Sequence, residues 1–185
     1  MKRMPWLLVF ALLNPSCPAA TRQHQAPLTL AQAIDAWVSN TETHVVPLAE
    51  AMPEDKYSFA PAGDGFKGVR TFAEQVKHLA ANNYYEASLI LGEKPPEGAK
   101  AETGPDSVKS KAEIMRYLKG SFDYLHQAVA TIDERNMTMP IPGTSGSWQQ
   151  NRVARAIDAI AHSFNHYGQL VEYLRMNGIV PPDSR

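Results

Sequence analysis

Apolar residues recur along this chain at intervals of three and four positions, the spacing that places side chains on one face of an α-helix. No segment alternates apolar and polar residues for long enough to predict a strand. The pattern predicts four amphipathic helices: Leu28 to Met52, near Gly68 to Gly92, about Ser107 to Asp133, and about Trp148 to Asn177. Four helices of this length, joined by segments rich in Gly and Pro, predict an all-α four-helix bundle.

The predicted helix ends rest on capping residues. Thr29 is the expected N-cap of the first helix, and Asp106 or Ser107 that of the third. Pro47 lies inside the first helix and is expected to kink it, because proline lacks the N–H of an interior helical bond.

Composition indicates one globular domain. The chain has 185 residues, of which 44% are hydrophobic and 20% charged, with a net charge of -1. A chain of this length folds around a single core. The near-neutral charge gives no reason to expect nucleic acid or an anionic membrane as a partner.

The first twenty residues differ from the rest. Lys2 and Arg3 precede an apolar run from Trp6 to Leu13, and small residues follow to Ala20. This order predicts a secretory signal peptide over residues 1–20, a short segment over 21–27 and the helical domain over 28–182. The protein is therefore expected to be secreted or periplasmic, without contact with the membrane after cleavage. Lipidation of Cys17 and a disordered apolar tail are the alternatives.

Two of the six histidines, His162 and His166, stand four residues apart in the last predicted helix. That spacing returns to nearly the same helical face, so two imidazoles can bind one ion. Both lie off the apolar stripe, on an arc with Asp158 and Gln169, which leaves a solvated face or a polar cleft. A zincin site is excluded because Ser163 stands where the glutamate of H-E-x-x-H is needed.

A third ligand has to come from another helix, and His78 in the second helix is the best placed. His44 and His126 border the apolar faces of the first and third helices. Either is a possible fourth ligand or an ordinary boundary residue. Asp158 is the first candidate to orient a metal-binding imidazole, followed by Asn82 and Gln169.

Three stretches resemble the DinB family: LAEAMPE (residues 48–54), FAEQVKHLA (72–80) and HSFNHYGQLVEYLRMNGIVPP (162–182). The resemblance extends over about residues 28–182. It implies a four-helix bundle, a three-histidine metal site at His78, His162 and His166, and a possible homodimer. Some members of the wider group use low-molecular-weight thiols in the cytoplasm, an activity that transfers poorly to an exported protein.

Three neutral imidazoles leave a divalent ion its full charge and an open coordination position, a donor set that suits Zn²⁺ or Ni²⁺. Three hypotheses follow. The protein is a metal-dependent hydrolase or transferase acting on a small molecule, a non-catalytic module that binds a metal or a small ligand, or a metal-free bundle with incidental histidines.

Overall fold

The computed structural model describes residues 26–142 and 151–184. Four α-helices account for most of these residues, and the described ranges contain one isolated bridge, between Pro140 and Asn151, but no strand. The helices are α1 Leu30–Ala51, α2 Phe72–Leu91, α3 Lys111–Val129 and α4 Arg152–Met176, with short 3-10 turns at Glu54–Lys56, Asp64–Phe66 and Pro182–Ser184. The predicted all-α bundle is confirmed.

The helices pack so that α1 and α2 occupy opposite corners. α2 packs on α3 and α4, and α1 packs on the same two helices. The core between them is apolar and contains the fully buried side chains Leu48, Phe72, Leu79, Leu118, Phe122, Leu170 and Leu174. This arrangement places α2 beside α4, the two helices on which the three candidate metal-binding histidines were predicted.

Capping boxes define the first turns of three helices. Thr29 caps α1 as predicted, and its hydroxyl accepts a hydrogen bond from the backbone of Gln32. The third helix begins later than predicted. Its N-cap is Ser110, whose hydroxyl accepts from the backbone N–H of Glu113, while the Glu113 carboxylate accepts from the backbone of Ser110. The expected cap at Asp106 or Ser107 is wrong because this reciprocal pair satisfies the free N–H groups one turn further on.

The second helix also begins later than predicted, at Phe72 rather than near Gly68. Thr71 and Glu74 form the capping box that starts it, and Gly92 in the left-handed region ends it. Pro47 lies inside α1 as predicted, and the helix continues through it to Ala51; the kink at this position stays a prediction.

Several predictions from the sequence fall outside the described residues. These are the signal peptide over residues 1–20 with Cys17, and the start of the fourth helix at Trp148. None of the helices in the described ranges is long and apolar enough to cross a membrane.

Candidate metal centre

The structure brings His78, His162 and His166 together between α2 and α4. His78 lies in the second turn of α2, and the other two lie one turn apart on α4. The Nε2 atom of His162 is 3.1 Å from Nε2 of His78 and 3.1 Å from Nε2 of His166. In addition, one ring nitrogen from each of the three histidines lies within 4.8 Å of the other two.

The spacing of these nitrogen atoms fits a shared cation. An imidazole nitrogen binds a transition metal at about 2.0–2.1 Å, which puts two ligand nitrogens about 2.9–3.4 Å apart. Hydrogen bonding alone accounts for the cluster less well. A ring nitrogen has one proton or one lone pair, so Nε2 of His162 can satisfy only one of its two neighbours. A cation at the centre would use all three lone pairs.

Burial and a nearby arginine keep the three imidazoles neutral. Desolvation, the neighbouring histidines and Arg70 together lower the pKa of His162 to about 3, with desolvation the largest cause. Desolvation, His78 and Arg70 lower the pKa of His166 to about 4. Desolvation and Arg70 also lower the pKa of His78. All three rings consequently hold free lone pairs at neutral pH, as metal ligands must.

The second ring nitrogen of His166 is held by a glutamine that sequence analysis did not identify. Nε2 of Gln75 lies 2.8 Å from Nδ1 of His166 and also contacts the side-chain oxygen of Gln169. Gln75 is only 2% exposed. A polar residue in register with the apolar stripe of α2, one turn before His78, was the signal that could have found it.

The expected partner of His162 is engaged elsewhere. Nδ1 of His162 is buried without a hydrogen-bond partner in the described part of the chain, so Asp158 does not orient this ring. The Asp158 carboxyl instead shares a hydrogen bond with Glu86. Glu86 is buried, and Arg155 contacts it at 3.4 Å. Burial, only partly opposed by Arg155, raises the pKa of Glu86 to about 7. The hydrogen bond with Glu86 and the charge of Arg155 give Asp158 partners other than His162.

His44 and His126 lie outside the cluster. Nδ1 of His44 is 2.8 Å from the carbonyl oxygen of Asn40 on its own helix. His126 contacts Asp35 at 2.5 Å and Glu42 at 3.3 Å, and so connects α3 to α1. Within residues 26–142 and 151–184, no fourth histidine, cysteine or carboxylate joins the three rings. Neither histidine is therefore a fourth ligand.

A cleft opens beside His78. It has a volume of about 320 Å³ and is lined by α2 on one side and residues 99–102 of the α2–α3 connection on the other. The backbone of Glu102 also forms a hydrogen bond with His78. His78 is thus the member of the cluster through which a small molecule in the cleft would reach the centre.

The α2–α3 connection is held tightly against α2. Nζ of Lys77 donates to the carbonyl oxygen of Pro105 at 3.2 Å. Gly104 has a φ of 69°, and a Cβ atom at this position would lie 2.7 Å from Cβ of Lys77. Gly98 has a φ of 78°, and its Cβ would lie 2.6 Å from Cβ of Pro105. Both positions require glycine, because a side chain would meet positive φ and a close contact at once.

Fold and cluster together define the class of the protein: a helical bundle in which two neighbouring helices present three neutral imidazoles to one point beside a cleft. A comparison with known families identifies the superfamily. The family model of the DinB superfamily matches residues 38–170, and the chain belongs to this superfamily. The matched region includes His78, His162 and His166. A comparison with curated proteins found no match.

Proposed function

We propose that this protein binds one divalent metal ion at His78, His162 and His166 and acts as a metal-dependent hydrolase or transferase on a small molecule. The observation that supports this most directly is that Nε2 of His162 lies 3.1 Å from Nε2 of His78 and 3.1 Å from Nε2 of His166, beside an open cleft. Membership of the DinB superfamily is compatible with metal binding.

Each residue has a defined part in this proposal. The three imidazoles hold the ion through Nε2, the backbone of Glu102 orients His78, and Gln75 orients His166. When bound, the ion supplies Lewis-acid chemistry, polarising a substrate heteroatom or lowering the pKa of water. The protein binds the substrate in the cleft beside His78 and keeps the imidazoles deprotonated by burial.

The ligand set favours an open centre. Only three histidines of the described residues converge, and a fourth protein ligand would have closed the site as in structural zinc centres. This difference favours catalysis over a non-catalytic binding module, the alternative function. Three imidazoles suit Zn²⁺ or Ni²⁺, which we propose as the resident ions.

Metal content tests the proposal. Protein purified without an affinity tag is reconstituted with Zn²⁺ or Ni²⁺, freed of excess ion and analysed by elemental mass spectrometry. We expect about one equivalent in the wild type and a loss of binding in His78→Ala and His166→Ala. His44→Ala and His126→Ala are matched controls, because they remove a histidine outside the cluster and should retain the ion. Wild-type protein without stoichiometric metal would refute the proposal.

A panel of small esters, amides and thiol acceptors separates the catalytic proposal from the binding module. We expect turnover by the metal-loaded wild type that disappears in His78→Ala. Metal binding without turnover would instead support the binding module.

Export of the protein and a homodimer stay predictions from the sequence.

A further inference from the structure

The cleft beside His78 has apolar walls and one polar side. Ala81 of α2 and Ala99 and Ala101 of the α2–α3 connection form the apolar part. The remaining lining residues are His78, Asn82, Tyr85, Lys100 and Glu102. Its volume of about 320 Å³ lies at the lower end of the range of small-molecule sites, so it suits a compound of a few carbon atoms.

The side-chain amide of Asn82 lacks an acceptor. Asn82 lies one turn after His78 on the same face of α2, and its Nδ2 atom is buried without a hydrogen-bond partner in the described residues. An unsatisfied buried donor costs about 1–3 kcal/mol. Asn82 also lines the cleft, so a rotation of its amide would present this donor to a ligand oxygen and remove the cost.

Lys100 supplies the positive charge of the cleft. Its ammonium lies 5.5 Å from the centre of the Tyr85 ring, and no carboxylate of the described residues forms an ion pair with it. Glu102 is the carboxylate in the cleft lining, and it is bound by Arg70, whose Nε also donates to the Glu102 carbonyl oxygen at 2.8 Å. The charge left available to a ligand is therefore positive.

We propose that this cleft selects small organic carboxylates. The carboxylate binds between the Lys100 ammonium and the Asn82 amide, and the carbon chain lies against the three alanines, which places the rest of the molecule beside His78. One ammonium and one neutral amide offer a donor to each of the two oxygens of a carboxylate, and inorganic phosphate is the anion against which this choice is tested. This proposal names the substrate class of the proposed function. Binding of the carboxylate does not depend on that function, and only the reaction that follows binding does.

Calorimetric titration with succinate tests the assignment. Succinamide has nearly the same shape without charge, and inorganic phosphate is an anion of another class. Each is titrated at constant ionic strength into the Zn²⁺-reconstituted and the metal-free protein. We expect succinate to bind at least about tenfold more tightly than succinamide or phosphate.

Variants locate the binding. Lys100→Ala should weaken succinate binding at least about fivefold, and Asn82→Asp should weaken it as well, because it places a like charge beside the ligand. Lys94→Ala is the matched control, an exposed lysine of the same connection that does not line the cleft. Its affinity for succinate should equal that of the wild type. All three variants should retain their metal content, which shows that the centre is intact.

The outcomes separate the two proposals. Equal binding of succinate and succinamide, equal affinity in Lys100→Ala and Lys94→Ala, or tighter binding of phosphate would overturn the carboxylate assignment. A protein that binds metal but no succinate refutes the assignment alone. Succinate bound through Lys100 by a protein that takes up no metal refutes the metal-dependent function and leaves the cleft assignment standing.

Discussion

Gln75 connects the proton positions of the cluster to metal binding. Its Nε2 atom faces Nδ1 of His166, an arrangement in which Nδ1 accepts and the proton of the ring is on Nε2. A cation at Nε2 requires that proton on Nδ1. The side-chain amide of Gln75 then has to turn its oxygen towards His166, and Gln169 has to turn its nitrogen towards Gln75. Amide orientations are set by such networks, so the two glutamines act as a coupled pair.

Replacing Gln75 should therefore weaken metal binding. We expect Gln75→Ala to lower the affinity for Zn²⁺ by about 10–100-fold, the usual effect of removing a residue that orients a ligand. Gln75→Glu keeps an acceptor oxygen opposite His166 and should retain most of the affinity. Competition with a chromophoric chelator measures both constants. Gln127→Ala, at an exposed position of α3, is the control. An unchanged affinity in Gln75→Ala would show that Gln75 does not orient the ring.

For single residues, the sequence predicted which histidines group together better than it predicted which side chains orient them. The grouping of His78, His162 and His166 followed from helical spacing and family resemblance, and the structure brings these residues together. Gln75, the partner of His166, was missed, since its register in the apolar stripe of α2 predicts burial but does not say which group it contacts. Helical spacing places Asp158 one turn before His162 and so favours it as a partner. Spacing within α4 does not reveal Glu86, which lies on α2 and shares a hydrogen bond with Asp158.

Between α2 and α3, a glycine makes room for a tyrosine. Tyr84 of α2 packs against Tyr117 and Tyr124 of α3, with ring centres 5.0 and 5.8 Å apart. A Cβ atom at Gly120 would lie 2.6 Å from the hydroxyl oxygen of Tyr84. Glycine inside a helix costs about 1 kcal/mol relative to alanine. The close approach of the Tyr84 hydroxyl explains why α3 contains a glycine at position 120.

Gly120→Ala should consequently destabilise the protein despite its better helix propensity. We expect a net loss of up to about 2 kcal/mol in the free energy of unfolding, because the cost of moving Tyr84 exceeds the gain in helix propensity. In a Tyr84→Phe background the hydroxyl is absent, and the same substitution should be neutral or stabilising by up to about 1 kcal/mol. Urea unfolding of the wild type, the two single variants and the double variant gives the coupling free energy between Gly120 and Tyr84. A stabilising Gly120→Ala in the wild-type background would contradict this explanation.

Helix identity was easier to predict than helix ends. Apolar periodicity predicted all four helices, since burial of one face dominates their formation. The ends depend on local hydrogen bonds instead. Thr71 with Glu74 and Ser110 with Glu113 both have the capping-box spacing, and attention to it would have corrected the starts of α2 and α3.

For the whole molecule, the buried histidines make stability depend on pH. In the metal-free protein the pKa of His162 falls to about 3 and that of His166 to about 4, below the ordinary value of 6.5. As the pH falls below 6.5, the unfolded chain takes up protons that these folded residues do not. Their contribution to stability is present above pH 6.5 and decreases towards pH 3. The contribution of His126 to stability changes with pH in the opposite direction. Desolvation lowers its pKa, but hydrogen bonds and the charges of Asp35 and Glu42 raise it overall, so this contribution to stability is lost as the pH rises.

A single substitution isolates the effect of the cluster. We expect the metal-free His162→Gln variant to gain stability relative to the wild type as the pH falls from 7 to 4.5, by on the order of 1–2 kcal/mol. Chemical unfolding at several pH values measures the difference. His44→Gln is the control outside the cluster. A difference between variant and wild type that does not change with pH would show that His162 titrates normally.

The order of helices around the bundle was not predictable from the sequence. Four apolar stripes allow several arrangements, and the choice of α3 and α4 as neighbours of both α1 and α2 depends on how all the side chains fit. The family resemblance supplied the missing constraint, because a site shared by His78 and His162 requires α2 beside α4.

The α2–α3 connection separates two properties that many enzymes hold in the same residues. The three histidines of the cluster belong to helices of the core, while Lys100 and its neighbours belong to a segment that contains Gly98 and Gly104. Substitutions between these two glycines can change the ligand without disturbing the helices. Evolution, or a directed library over residues 99–103, can therefore vary the lining of the cleft while the histidine cluster is inherited unchanged.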